Sequence, residues 1–329
     1  MPPKLYLHIG INKTGTSAIQ RYLSSHRAEL VRESVLYPVT GRAGEAHYGL
    51  SRALGFAHGK PPVNAPELEA LRGALLEEMR ASDAQSVILS SEDFVLRGDI
   101  ARVREFLSAF DCRIVVYLRR HDHWWLSSYN QAVKMVANPP WEPGINAYLQ
   151  FCRKRKSARA SHRELLERWA EVFGVPAICV RPYEAAQNEG GVVADFLRTT
   201  GLAELAAGAA GSSERVNESL AGDVVHILDL VQRARISPRM RETLKIKLLA
   251  ERVAAPAAAV DLMRPRLRRR LIEENRPDYE YIARTFLGRE DGVLFREPEP
   301  RGDEAWEAPP LPDKVAVIGR ILNLLDDAG

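Results

Sequence analysis

Four short apolar runs, Leu5–Ile9, Val87–Leu89, Ile114–Leu118 and Ala177–Val180, constrain the fold of this chain more than any other feature. Each is rich in aliphatic, β-branched or aromatic residues and lacks a polar alternation, which is the pattern of a strand covered on both faces. Helix-period segments separate them: Ser17–Leu30, Pro66–Met79, Ile100–Phe110 and Arg163–Val172. In the second of these, Leu68, Leu71, Leu75 and Met79 recur at spacings of three and four, and Pro66 suits a first helical turn. Alternating strands and helices predict an α/β fold with a central parallel sheet and helices on both faces.

The sheet core is expected to occupy about residues 1–200 and a helical part about 214–295, together one α/β domain over 1–295. Leu202–Ser213 is mostly Ala and Gly and marks the change of pattern. Beyond it, Asn217–Leu249 reads as helical with an interruption at Ser237–Pro238, and Tyr279–Phe286 as a further helix. Residues 296–329 are expected to form a Pro- and Glu-rich extended segment followed by an amphipathic helix, Lys314–Leu325. That helix presents Val315, Ile318, Leu322 and Leu325, for docking on the body or for a dimer contact, so the oligomeric state stays open with a homodimer among the options.

Composition excludes several classes of function. Hydrophobic residues at 46% and charged residues at 27% leave ample material for a core. A net charge of +3 is too small for nucleic-acid binding by charge alone. No run approaches the ~18 apolar residues of a membrane helix. Cys112, Cys152 and Cys179 are widely spaced and fit neither a zinc pattern nor a disulfide scaffold, so the expected setting is a reducing cytoplasm and no metal is expected.

The chemistry is carried by the segment after the first run, Gly10-Ile11-Asn12-Lys13-Thr14-Gly15-Thr16-Ser17. A strand enters a loop with two glycines, one lysine and three hydroxyl residues, and a helix leaves it. Backbone N–H groups in such a loop converge on an anion, and the helix dipole adds to them. Gly10 and Gly15 keep the glycine spacing of a nucleotide-kinase loop and Ser17 keeps its hydroxyl, but Thr16 stands where that loop has lysine. The lysine is at position 13 instead, which suits a group less charged than a magnesium-bound triphosphate. The end of the run Ile114–Leu118 lies at the ligand edge of a parallel sheet, where a guanidinium suits a phosphate. There Arg119 follows the strand, with Ser127 eight residues on (127 − 119 = 8) and Arg120 as a competitor.

Lys13-Thr14-Gly15-Thr16-Ser17 after an amino-terminal strand resembles the 5′-phosphosulfate loop of the sulfotransferases. Those enzymes use 3′-phosphoadenosine 5′-phosphosulfate (PAPS) and release adenosine 3′,5′-bisphosphate. Arg119 with Ser127 is similar to that family's 3′-phosphate motif, and Ser127-Ser128-Tyr129-Asn130-Gln131 resembles its bacterial members. Weaker similarities follow at Val180–Tyr183, Asp195–Leu197, Val216–Ser219 and Glu274–Arg276, while the Arg-Lys-Gly triplet of the cytosolic branch is lacking. The resemblance implies a P-loop-like fold. It also implies that Asn12, Lys13, Thr14, Gly15, Thr16, Ser17, Arg119 and Ser127 bind the cofactor; Arg181 and Arg276 are candidates either for completing the 3′-phosphate pocket or for structural ion pairs.

Transfer to an alcohol calls for a base. Glu92, after the run Val87–Leu89, is the first candidate, and His47, in the polar stretch Gly41–Gly49, is the second. His8, His121 and His123 read as structural. Lys13 stabilises charge on the leaving oxygen in this scheme, and the acceptor is a hydroxyl, of a carbohydrate or small alcohol. The alternatives are an ATP- and magnesium-dependent kinase with Glu92 or Asp93 on the metal, and a nucleotide-binding sensor without turnover. The basic runs Arg153–Lys156 and Arg264–Arg270 read as solvated faces or as entry surfaces for an anion.

Overall fold

The computed structural model describes residues 2–57, 61–155, 161–209, 222–254, 262–307 and 313–326. The similarity at Val216–Ser219 and part of the basic run at 153–156 lie outside them. The chain divides into two compact units, the first comprising Met1–Arg120, Arg159–Val216 and Asn275–Glu297, and the second comprising the remainder.

The first unit is built on a five-stranded parallel sheet: β1 (Lys4–His8), β2 (Val35–Leu36), β3 (Ser86–Ser90), β4 (Asp111–Leu118) and β5 (Ile178–Pro182), in the order β2-β3-β1-β4-β5. Its helices are α1 (Thr16–Ser25), α2 (Arg27–Arg32), α3 (Tyr48–Ala53), α4 (Ala65–Ser82), α5 (Ile100–Phe106), α8 (His162–Phe173), α9 (Val192–Thr199) and α10 (Ala203–Ala209), with the latter part of α13 (Pro265–Leu287). The second unit holds α6 (His121–Met135), α7 (Ile145–Lys154), α11 (Gly222–Arg233), α12 (Pro238–Ala254), the first part of α13 and α14 (Lys314–Asp326).

Strand residues alternate between two dry faces, as the unbroken apolar runs require. Ile88, Val115 and Tyr117 pack with Ile19, Leu23, Phe196 and Leu197 of α1 and α9. By period two, Leu5, Leu7, Val87, Leu89, Ile114 and Val116 face the opposite layer, and all are buried. The fold is therefore α/β with a covered parallel sheet, as the alternation of runs predicts. Neighbour order reverses about β1, because β3 pairs with it on one side and β4 on the other. In open parallel sheets that switch point opens a crevice at the strands' carboxyl ends. The loop after β1, Glu92 after β3 and Arg119 after β4 all start from this edge.

Several elements differ from expectation, each for a local reason. The two-residue edge strand β2 is too short to show a period. The first helix breaks at His26, whose N–H bonds Tyr22 O at 2.9 Å, and α2 restarts at Arg27. Part of the Ala-rich stretch folds as α10, because alanine is the strongest helix former. In α14, Val315, Ile318 and Leu322 are exposed, at 76, 57 and 59%, and it is Val317 and Leu324 that are buried.

Candidate functional site

The ladder of β1 continues past its end, Ile9 N donating to Val115 O at 3.0 Å. The loop then turns within a narrow space. A Cβ on Gly10 would lie 2.8 Å from Thr16 Cγ2, and one on Gly15 would lie 2.6 Å from Val192 Cγ1 and 3.1 Å from Tyr183. Gly15 is also left-handed, φ 77°, and so is Lys13, φ 72°, where a side chain carries a real penalty. Gly15→Ala is expected to destabilise the fold by about 1–3 kcal/mol, read as a lower Tm.

Thr14 and Thr16 hydroxyls both donate to Ile11 O, at 2.6 and 3.4 Å. They are buried and shape the loop from within, while Ser17 is exposed and Asn12 half-buried. No side chain caps the start of α1. Its first amides therefore open toward the loop with the positive end of the helix dipole behind them.

Arg119 leaves β4 and donates from Nη1 to Lys13 O at 2.9 Å, so the second candidate anion residue grips the left-handed residue of the loop directly. Its guanidinium lies 5.4 Å from the centre of the Tyr183 ring. Tyr183 N in turn bonds Leu118 O at 2.6 Å, and buried His162 Nε2 bonds Arg119 O at 2.9 Å. Burial holds His162 neutral, with its pKa down to about 4. Burial also lowers the Lys13 pKa. The Glu92 carboxylate raises it in opposition, and the Arg119 cation lowers it further. Lys13, Glu92 and Arg119 thus share one electrostatic neighbourhood in which cations outnumber carboxylate. An anion bound there would favour the lysine's charged form and raise its pKa again.

Glu92 opens a 3₁₀ turn, Glu92–Val95, whose cap is Ser91: its Oγ accepts from Asp93 N at 3.3 Å. Ser51 of α3 lies 2.9 Å from Ser91 Oγ and donates to Asp93 Oδ2 at 3.3 Å. Tyr48, also on α3, has its phenol pushed up to about 12 by burial and then by the Glu92 and Asp93 charges, with Arg52 in opposition. Arg52 stands 3.7 Å from Asp93 and 5.6 Å from the centre of the Tyr48 ring. Tyr48 leaves no mark in the sequence, because a six-residue helix carries too little periodicity to stand out.

His47 is placed differently from expectation. It is wholly buried rather than in an open loop, and both ring nitrogens bond backbone: Nδ1 accepts from Ser90 N at 3.1 Å and Nε2 donates to Pro38 O at 3.1 Å. Burial lowers its pKa to about 4. Neither nitrogen faces a reacting group, so the proton-accepting role does not fit this geometry. His8 is buried as well, its Nδ1 2.9 Å from Ser90 Oγ and its pKa down to about 3. Arg181 ion-pairs Asp195, which also accepts from Tyr117 Oη at 2.7 Å, a structural role that argues against a phosphate ligand there. Arg120 is buried with Nη1 on Glu297 O at 2.9 Å, while Arg276 is exposed on α13. In the second unit, Ser127 is half-buried on α6. In its basic runs Arg153 pairs with Glu274 at 2.6 Å and Arg269 with Glu273 at 2.7 Å. Among the described residues no group of three or more His, Cys, Asp or Glu side chains is arranged to hold a metal ion, and no helix is long and apolar enough to cross a membrane.

No family model matches the chain. A protein of Archaeoglobus fulgidus described as uncharacterized is 34% identical over 119 residues, which is 35% of this chain and 30% of that protein. The matched stretch thus spans under a third of that relative's length. Among solved structures, a sulfotransferase from Alicyclobacillus acidocaldarius superposes with a TM-score of 0.41 at 16% identity, covering 77% of this chain and 94% of that one.

Proposed function

We propose that the chain is a sulfotransferase, moving the sulfuryl group of PAPS to an acceptor hydroxyl. The observation that carries this reading is the convergence of Lys13, Glu92 and Arg119 on one sheet edge, with Arg119 bonded to the Lys13 carbonyl. Two cations and uncapped helix amides suit an anionic nucleotide. A single carboxylate among them suits a base. The lysine is not at the place where a triphosphate-binding loop puts it, since Thr16 stands there.

In the proposed reaction the 5′-phosphate lies on the loop amides of residues 13–17. The acceptor oxygen attacks sulfur, and the bond from sulfur to the bridging oxygen breaks. Its electron pair leaves on the adenosine 3′,5′-bisphosphate, where the Lys13 ammonium and the loop amides offset the new charge. Glu92 takes the proton of the acceptor hydroxyl. Arg119 has two tasks, holding Lys13 in place and offering positive charge to the nucleotide. Arg119→Ala is therefore expected to weaken binding of adenosine 3′,5′-bisphosphate by about 10- to 100-fold, the worth of a charge-assisted hydrogen bond, measured by calorimetry. An unchanged constant would reassign the residue.

Two measurements test the function. Incubation with sulfur-labelled PAPS and a panel of alcohols and sugars is expected to label at least one acceptor. Calorimetry is expected to show metal-free adenosine 3′,5′-bisphosphate binding more tightly than ATP with magnesium. The reverse order of affinities would favour a kinase, and binding without any label transfer would favour a sensor.

A further inference from the structure

We infer that His47 is a positioning residue for Glu92, acting as a substitute strand neighbour at the exit of β3. This rests on the reading of Glu92 as the base. In the sheet, the β2 partner of β3 reaches only Ser86 and Val87. Three residues further on, on that same side, the backbone of Ser90 has lost its ladder and would end in open N–H and C=O groups. His47 supplies both missing partners. Its own N–H donates to Ser90 O at 2.8 Å, and its Nδ1 accepts from Ser90 N at 3.1 Å. Because Ser90 N–H is a donor, the ring proton sits on Nε2, which donates to Pro38 O and locks the imidazole plane.

The other side of the same residue is fixed as well. Ser90 pairs with His8 in the register of β1, and its Oγ accepts from Gln20 Nε2 at 3.0 Å. Ser91 N then donates to His8 O at 3.1 Å. Glu92 follows directly, so its direction is set by a backbone held from both sides. Placement of a reacting group matters steeply: an error of about 1 Å costs on the order of a hundredfold in rate.

Two polar substitutions divide the contacts of the ring. In His47→Asn the side-chain oxygen reaches the Nδ1 position and still accepts from Ser90 N. In His47→Gln the longer amide reaches the Nε2 position and serves Pro38 instead. Positioning through Ser90 predicts that His47→Gln lowers kcat by about 10- to 100-fold, with donor affinity unchanged, and that His47→Asn recovers most of it at a similar Tm. Equal losses in both variants, a loss that follows Tm, or no loss in His47→Gln would overturn the inference. Crystal structures of the two variants test it without turnover. Glu92 is expected to shift in His47→Gln and to stay in His47→Asn; an unmoved Glu92 in both contradicts the assignment even if the wild-type protein transfers no label.

Discussion

Lys13→Ala is expected to lower turnover by about a hundredfold or more, the range seen when a donor to a developing oxyanion is removed. The lysine is partly buried, its charge opposed by desolvation and by Arg119 and favoured by Glu92, so it is strengthened by any anion placed beside it. Its backbone provides a control that separates chemistry from stability. At φ 72° a side chain costs energy that glycine does not. Lys13→Gly should therefore hold or raise Tm while losing turnover as fully as Lys13→Ala. Parallel loss of both would reduce Lys13 to a structural residue. The pH dependence has a definite sign. An ammonium is needed to hold an anion, so nucleotide affinity is full below the Lys13 pKa and decays above it. Burial places that decline below the ordinary value of 10.5.

Glu92→Gln is expected to lower turnover by about a hundred- to ten-thousandfold, the contribution of a positioned general base. Donor affinity should move the other way. The carboxylate sits near Lys13 and competes with a bound anion for its charge, so removing it should tighten adenosine 3′,5′-bisphosphate binding. The Tyr48 phenol reports on the same carboxylate: its pKa, held at about 12 partly by Glu92, should fall in the variant. A variant with full turnover would remove Glu92 from the reaction. Weaker donor binding would place its carboxylate outside the charge field of Lys13.

Much of this architecture was legible because burial on two faces leaves a plain mark in sequence. β1, β3, β4 and β5 are apolar runs with no polar alternation, and the glycines at 10 and 15 announce a tight turn after the first of them. The sheet edge on which Lys13, Glu92 and Arg119 meet follows from those strands alone. The rest depends on individual hydrogen bonds, within the loop and between distant residues, that leave no periodic pattern in the sequence. Thr14 and Thr16 read as phosphate donors, yet their hydroxyls donate inward to Ile11 O within the same loop. His47 lies in a polar, glycine-containing stretch and reads as a loop base, but β2 pairs with β3 only as far as Val87 and leaves Ser90 short of partners on that side, and burying His47 there satisfies them. Arg119 as the clasp of Lys13 was invisible for the same reason, the two residues being 106 apart in sequence.

In the proposed complex one nucleotide lies across the loop after β1 and the guanidinium after β4. A crystal structure with adenosine 3′,5′-bisphosphate measures this most directly. The 5′-phosphate is expected on the amides of residues 13–17 within hydrogen-bond distance of Lys13 Nζ, and the ribose phosphate at the Arg119 guanidinium. A nucleotide bound with neither phosphate at these residues would contradict it.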